Sequence, residues 1–202
     1  HGLAVIEDNA QAIGSDYYYK DGSSRKTGTI GTIGCTSFFP SKNLGCYGDG
    51  GAICTNDDEL ADKMRMIANH GQKVRYYHEM VGCNSRLDSM QAAVLNIKLP
   101  KLDQYIEARR KAAAYYDQAF AGHNKITTPY RDSNNKHVFH QYTLILEGIN
   151  RDELHQYLAE RQIPSMIYYP VPAHRQNMFA ALGGNNFELA VTDWLTDRVI
   201  SL

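Results

Sequence analysis

Two short segments of this chain carry residue types that could do covalent chemistry. The first, Glu7-Asp8-Asn9-Ala10-Gln11-Ala12, places acids at the end of an apolar, β-branched run that starts at Leu3. The second, Ser37-Phe38-Phe39-Pro40-Ser41-Lys42-Asn43-Leu44-Gly45, places a lysine in a glycine-bounded loop just after another strand-like run. A lysine amine that is well positioned and partly desolvated can attack an aldehyde and form an imine. A carboxylate facing the nitrogen of an aromatic ring keeps that nitrogen protonated, so the ring can absorb carbanion electrons. Hydroxyl and backbone N–H donors, here Ser37 and the turn Gly48-Asp49-Gly50-Gly51, suit a phosphate. Each feature alone has an ordinary explanation. A loop lysine is commonly a solvated charge, a strand-end aspartate a helix cap, and a glycine run a tight turn. Their occurrence together, along one edge of one sheet, carries the argument.

The elements that must position them follow from pattern. Leu3 to Glu7 reads as a buried strand, and ligands of open α/β sheets bind at the C-terminal ends of such strands. Asp16 to Gly31 is polar and rich in Gly and Ser, which predicts a surface loop. Cys35 to Phe39 and Gly51 to Thr55 predict two further strands. Asn56 with Glu59 has the form of a capping box, followed by Leu60, Met64, Ile67 and Ala68 on one helical face. Leu87, Met90, Val94 and Leu95 predict a second helix that Pro100 ends or offsets. A long third helix runs through Leu102, Tyr105, Ile106, Ala113, Tyr116 and Phe120, stopping near Gly122. Beyond it, Tyr142 to Leu146 alternates as a strand, Asn150 with Glu153 starts a helix, and Ile163 to Tyr169 is a strand broken by Pro170 and Pro172.

Composition excludes several classes. The 202 residues are 43% apolar and 21% charged, ordinary for a globular chain, and the net charge of −1 offers nothing to nucleic acid or a membrane surface. No apolar run approaches the roughly 20 residues that span a bilayer. Cys35, Cys46, Cys54 and Cys83 form no C-x-x-C pair, so zinc and disulfides are not expected, and a cytoplasmic location is. Gly48 to Gly51 lacks both Walker spacing and a G-x-G-x-x-G register before a helix, which removes the nucleotide-loop alternative.

Taken with Gly48-Asp49-Gly50-Gly51-Ala52, Gly82-Cys83-Asn84-Ser85-Arg86-Leu87-Asp88, Gln91-Ala92-Ala93 and Tyr168-Tyr169-Pro170-Val171-Pro172-Ala173-His174, the two segments resemble the DegT/DnrJ/EryC1/StrS family of sugar aminotransferases. The blocks fall in the family's order and cover nearly the whole chain. The resemblance implies an α/β, fold-type-I enzyme that uses pyridoxal 5′-phosphate (PLP) to move an amino group, usually from glutamate, to a nucleotide-linked ketosugar. It implies that Lys42 is the Schiff-base lysine and proton shuttle, and that Asp8 partners the pyridine nitrogen. Gln11 would lie beside the ring and Ser37 would hold the phosphate. Asn84 would reach the phosphate of the other subunit in a homodimer. Arg86, Tyr169 and His174 are candidates for the sugar substrate.

Family members are longer, so residues 1–98 are expected to be the C-terminal part of a large cofactor-binding domain with an incomplete sheet. Residues 99–122 would form a long interdomain helix, and 123–202 a small α+β domain. A remnant of three strands should leave apolar surface uncovered. Two rivals stand beside the transaminase. One is a sugar dehydratase of the same family, in which histidine replaces the lysine; the other is a non-catalytic or regulatory protein that keeps the fold.

Overall fold

The computed structural model describes residues 1–202, the side chain of Asn185 excepted. In chain order the elements are β1 (Ile6–Asp8), β2 (Asp16–Tyr18), β3 (Ser24–Lys26), β4 (Ile33–Ser37), β5 (Gly51–Cys54), α1 (Asp58–Ala68), β6 (Gln72–Val74) and β7 (Tyr77–His78). They continue with α2 (Ser89–Lys98), α3 (Leu102–Ala119), β8 (Ile126–Thr127), β9 (Asn135–Lys136), β10 (Thr143–Leu146), α4 (Arg151–Glu160), α5 (Ala190–Thr196) and β11 (Val199–Ser201). By contacts the chain divides into two compact units. One holds His1–Lys111 and Asp132–His140, the other Ala112–Arg131 and Gln141–Leu202, so the division falls inside α3.

The first unit is built on a three-stranded sheet in the order β1-β4-β5. β1 runs parallel to β4, with Asp8 opposite Cys35, and β4 runs antiparallel to β5. A parallel neighbour needs a crossover. Here the crossover is not the loop expected over Asp16 to Gly31 but a hairpin, β2 with β3, whose other neighbour is β9. The Gly/Ser content of that stretch belongs to its turn, where Asp21 accepts hydrogen bonds from the N–H and hydroxyl of Ser23. The edge-to-face pair Tyr17–Tyr19 and the ion pair Lys26–Asp16, 2.7 Å, hold the hairpin itself.

Glu7 ties this crossover to the sheet. Its carboxylate accepts the N–H groups of Gly28 at 2.8 Å, Ile30 at 2.6 Å and Gly31 at 2.6 Å. Burial pushes the Glu7 carboxyl up, but the three backbone donors, helped by Arg25, outweigh it and hold the group below its ordinary value of 4.5. Glycine is needed in β4, because a Cβ at Gly34 would lie 1.9 Å from the Gly28 carbonyl oxygen.

The core of this unit is Leu44, Cys46, Leu95, Leu102, Ile106 and Val138, with Ile13 and Phe38 packed on it. Sheet and helices still leave apolar surface bare: Leu3 is 80% exposed, Ile6 70% and Met90 78%. Helix starts follow their caps. α1 begins one residue later than Asn56 predicts, because Thr55 Oγ1 takes the Asp57 N–H and the Asp57 carboxylate caps Leu60 at 3.0 Å. Pro100 sits in a single 3-10 turn, Leu99–Lys101, which offsets α2 from α3 as expected.

The second unit carries an antiparallel sheet, β11-β10-β8, with Tyr142, Leu144, Leu146 and Ile200 buried. Asn150 caps α4 through the N–H groups of Asp152 and Glu153, and its amide reaches back to the Glu153 carboxylate. The strand expected over Ile163 to Tyr169 reduces to one bridge, Met166 with Ser201. Pro164 and Pro170 lack the N–H groups that a longer ladder needs.

The Glu7 bonds predict a stability effect with a definite sign. A carboxyl depressed in the folded state contributes most above its unfolded value and loses that contribution as pH falls through the folded one. Glu7→Gln should therefore cost about 2 kcal/mol at neutral pH, and much less at acid pH well below 4.5. Denaturant titrations of both proteins at the two pH values measure this difference.

Candidate functional site

Asp8, the last residue of β1, and Ser37, the last of β4, end neighbouring parallel strands at the same edge of the sheet. Adjacent strands lie about 4.8 Å apart, and the register puts Ser37 two residues past the partner of Asp8. Asp8 is exposed, with Oδ1 accepting the Ala10 N–H at 3.0 Å. Gln11 is exposed in the turn that follows. Ser37 Oγ accepts the Phe39 N–H at 3.2 Å, which leaves its own hydroxyl proton to donate elsewhere.

Lys42 follows Ser37 by five residues, in a loop rather than a helix, and is half-buried. Its backbone N–H bonds to the Phe39 carbonyl, while its Nζ has no hydrogen bond or ion pair among the described residues. The residues after it are what fix it. Asn43, Leu44, Gly45 and Cys46 are all buried. Asn43 donates to the Val138 carbonyl at 3.2 Å, and Leu44 and Cys46 enter the core. The Cys46 N–H and thiol both bond to the Phe38 carbonyl, closing the loop on itself. From α2, Gln91 Oε1 takes the N–H groups of Tyr47 and Gly48, each at 2.8 Å, and Lys98 Nζ donates to the Gly45 carbonyl.

Charge around the loop is one-sided. Burial, then the cations Lys42 and Arg109, push the His140 imidazole below its ordinary 6.5. Two buried polar atoms here have no hydrogen-bond partner among the described residues: Asn43 Oδ1 and His140 Nδ1. His140 does not stand out in the sequence, since no spacing rule links position 140 to position 42.

The remaining site candidates lie elsewhere. Asn84 and Arg86 are exposed and line an open concavity of about 480 Å³ with Leu87, Asp88 and Ser89. Asp88 caps α2 by accepting the Gln91 N–H at 2.9 Å. Tyr169 and His174 belong to the second unit, Tyr169 exposed and His174 largely buried. Asp193 holds Arg175 through two bonds, 2.9 and 2.8 Å, and lies 3.5 Å from His174 Nε2.

The profile of the DegT/DnrJ/EryC1/StrS aminotransferase family matches residues 1–202. The chain belongs to that family. It is 48% identical to a "Pleiotropic regulatory protein" of Geobacillus stearothermophilus, and the match covers 100% of this chain and 53% of that protein. It is 44% identical to the UDP-N-acetyl-3-dehydro-alpha-D-glucosamine 3-aminotransferase of Acidithiobacillus ferrooxidans, covering 100% of this chain and 52% of that enzyme. Among solved structures, DesV of S. venezuelae, crystallised with a ketimine intermediate, superposes with a TM-score of 0.91 at 41% identity; the match covers 100% of this chain and 53% of that one. The chain spans about half the length of the curated relatives it matches, and over that span it has the fold of these aminotransferases.

The close packing of the lysine loop makes one glycine essential. A Cβ at Gly45 would lie 2.4 Å from the Pro40 carbonyl oxygen and 2.7 Å from that of Phe39, both backbone atoms with little room to move. Gly45→Ala should cost at least about 2 kcal/mol, read as a fall in Tm, and should displace the loop.

Proposed function

We propose that this chain forms part of a PLP-dependent aminotransferase that transfers an amino group, from glutamate, to a nucleotide-linked ketosugar in the cytoplasm. The observation that carries the reading is the shared strand edge: Asp8 and Ser37 on neighbouring parallel strands, with Lys42 in a loop sealed against the core just beyond. The names of the relatives support the substrate class, because the Acidithiobacillus enzyme acts on a UDP-linked 3-dehydro sugar.

The residues present fit PLP. Lys42 has a half-buried side chain whose amine has no hydrogen bond among the described residues; Asp8 is an open carboxylate, and Ser37 has a proton to donate. In this reading Lys42 bonds to the group, Asp8 meets its ring nitrogen, Gln11 lies beside the ring, and Ser37 holds the phosphate. When bound, the group serves as the electron sink for the substrate carbon. The protein's own work is placement and proton handling. Lys42 takes a proton from the donor's α-carbon and returns it, and its loop keeps the amine from wandering. The Asp8 carboxylate would face the ring nitrogen of the group and accept a hydrogen bond from it. Arg86, through its planar fork, suits the diphosphate of the sugar nucleotide, with Tyr169 and His174 as further substrate contacts. Asn84 reaches the phosphate held by a second copy of the chain, which makes the working unit a homodimer. Residues 1–98 act as part of the cofactor domain, 99–122 as the connecting helix, and 123–202 as the small domain, except that 132–140 pack within the first unit.

One relative's name, "Pleiotropic regulatory protein", favours a second reading in which the fold is kept for regulation. Lys42 argues against the dehydratase alternative.

Full-length protein is expected to be yellow, with a visible band that bleaches on adding glutamate. A colourless protein with no turnover on any keto-sugar nucleotide would favour the regulatory reading. Lys42→Ala should abolish turnover, and Asp8→Asn should lower it by about a hundredfold or more; full activity in the lysine variant ends the assignment.

A further inference from the structure

One block of the sequence has no part in the mechanism above: Gln91-Ala92-Ala93, near the start of α2. Gln91 is half-buried, and its side chain works through a single atom. Oε1 accepts the N–H groups of Tyr47 and Gly48, each at 2.8 Å, while Nε2 has no hydrogen bond among the described residues. The backbone of Gln91 is fixed in turn, because the Asp88 carboxylate accepts its N–H at 2.9 Å as the cap of α2. Two successive amides are therefore gripped by a residue that is itself gripped.

Those two amides form the exit of the lysine loop. Cys46, one residue before Tyr47, closes the loop on the Phe38 carbonyl, and its thiol also lies 3.0 Å from the Gly48 carbonyl oxygen. The Gly50 carbonyl then accepts the Phe38 N–H at 2.8 Å. Space is short here: a Cβ at Gly50 would lie 2.8 Å from Leu87 Cδ1 and 3.2 Å from Cys46 Sγ. Lys42 thus stands on a ring of backbone whose entrance, Phe38–Phe39, and exit, Cys46–Gly48, are fastened together. Helix α2 holds that ring at two points, through Gln91 at the exit and through Lys98 at the Gly45 carbonyl. Tyr47 is 81% exposed, so water would satisfy its N–H if Gln91 did not. The bond consequently adds little net stability, and what it adds is position.

We propose that Gln91 is a positioning residue for Lys42, its amide oxygen setting where the lysine loop ends and so where the amine stands relative to Asp8 and Ser37. The inference rests on Lys42 being the cofactor lysine. It gives α2 a second task. The segment that leads into the helix carries Asn84 and Arg86, so one helix registers the lysine loop against the residues proposed for phosphate and sugar nucleotide. No proton moves at Gln91. What the loop needs there is an acceptor, which a carboxamide or a carboxylate oxygen supplies and an alkyl chain does not.

In full-length protein loaded with PLP, Gln91→Leu is expected to slow the single-turnover reaction with glutamate about tenfold. The half-saturating glutamate concentration should stay unchanged, and Gln91→Glu should keep the rate within about threefold of wild type. Asp57→Ala removes the cap of α1, at the opposite end of β5 from the loop, and is the control for stability: it should lower Tm and leave that rate unchanged. In cofactor-free full-length protein, amide exchange at Lys42, Cys46, Tyr47 and Gly48 should quicken about tenfold in Gln91→Leu and stay at the wild-type rate in Gln91→Glu. A wild-type turnover rate in Gln91→Leu, equal slowing in the Leu and Glu variants, equal slowing in Asp57→Ala, or unmoved exchange at Lys42 would each overturn the proposal. Borohydride reduction of the wild-type holoenzyme, with mass mapping of the adduct, separates the two levels. An adduct on Lys42 with an indifferent Gln91 removes only this inference; an adduct elsewhere removes the proposed function as well.

Discussion

Burial of Leu44 and Cys46 is the constraint on which the site depends. A lysine on an exposed loop would sample many positions, and its side-chain entropy would oppose any fixed placement. Here Leu44 and Cys46, alternating behind it, are driven into the core, and Asn43, between Lys42 and Leu44, finds its donor role satisfied at Val138. The loop is closed by hydrogen bonds to Phe38, Gln91 and Lys98. The amine is therefore located by the hydrophobic effect acting on its sequence neighbours, with no bond to the amine itself among the described residues.

A similar economy separates Glu7 from Asp8. Successive residues of a strand point to opposite faces, so two acids in a row meet different surroundings. Glu7 turns to three backbone N–H groups and becomes a structural anion, while Asp8 stays open at the strand end. The crossover hairpin is fastened to the sheet by the same dipeptide that ends in the site. Stability and placement are thus linked at positions one residue apart.

Much of this was legible beforehand because it is local. The presence of strands near Asp8 and Ser37, the offset at Pro100 and the cap at Asn150 each rest on residues close together in the chain, although β1 is the exposed Ile6–Asp8 rather than a buried Leu3 to Glu7 and β4 is Ile33–Ser37 rather than Cys35 to Phe39. The hairpin over Asp16 to Lys26 was not, because its Gly and Ser content imitates a loop and its third strand, β9, comes from residues 135–136. The strand ending at Tyr169 failed for the opposite reason: its apolar residues are there, but prolines deny it a ladder. The partner of Asn43 and the place of His140 were invisible in principle. Their importance depends on residues 132–140 belonging to the first unit after α3 has left it, a long-range fact that periodicity does not encode.

β1 stands at the rim of its sheet with Leu3, Val5 and Ile6 bare. A rim of that kind offers an unfilled row of main-chain donors and acceptors beside greasy side chains, with none of the prolines, lysines or bulges that usually blunt one. During synthesis, whatever extended segment reaches it first will be favoured, right or wrong. The order in which strands are captured there then becomes a matter of kinetics.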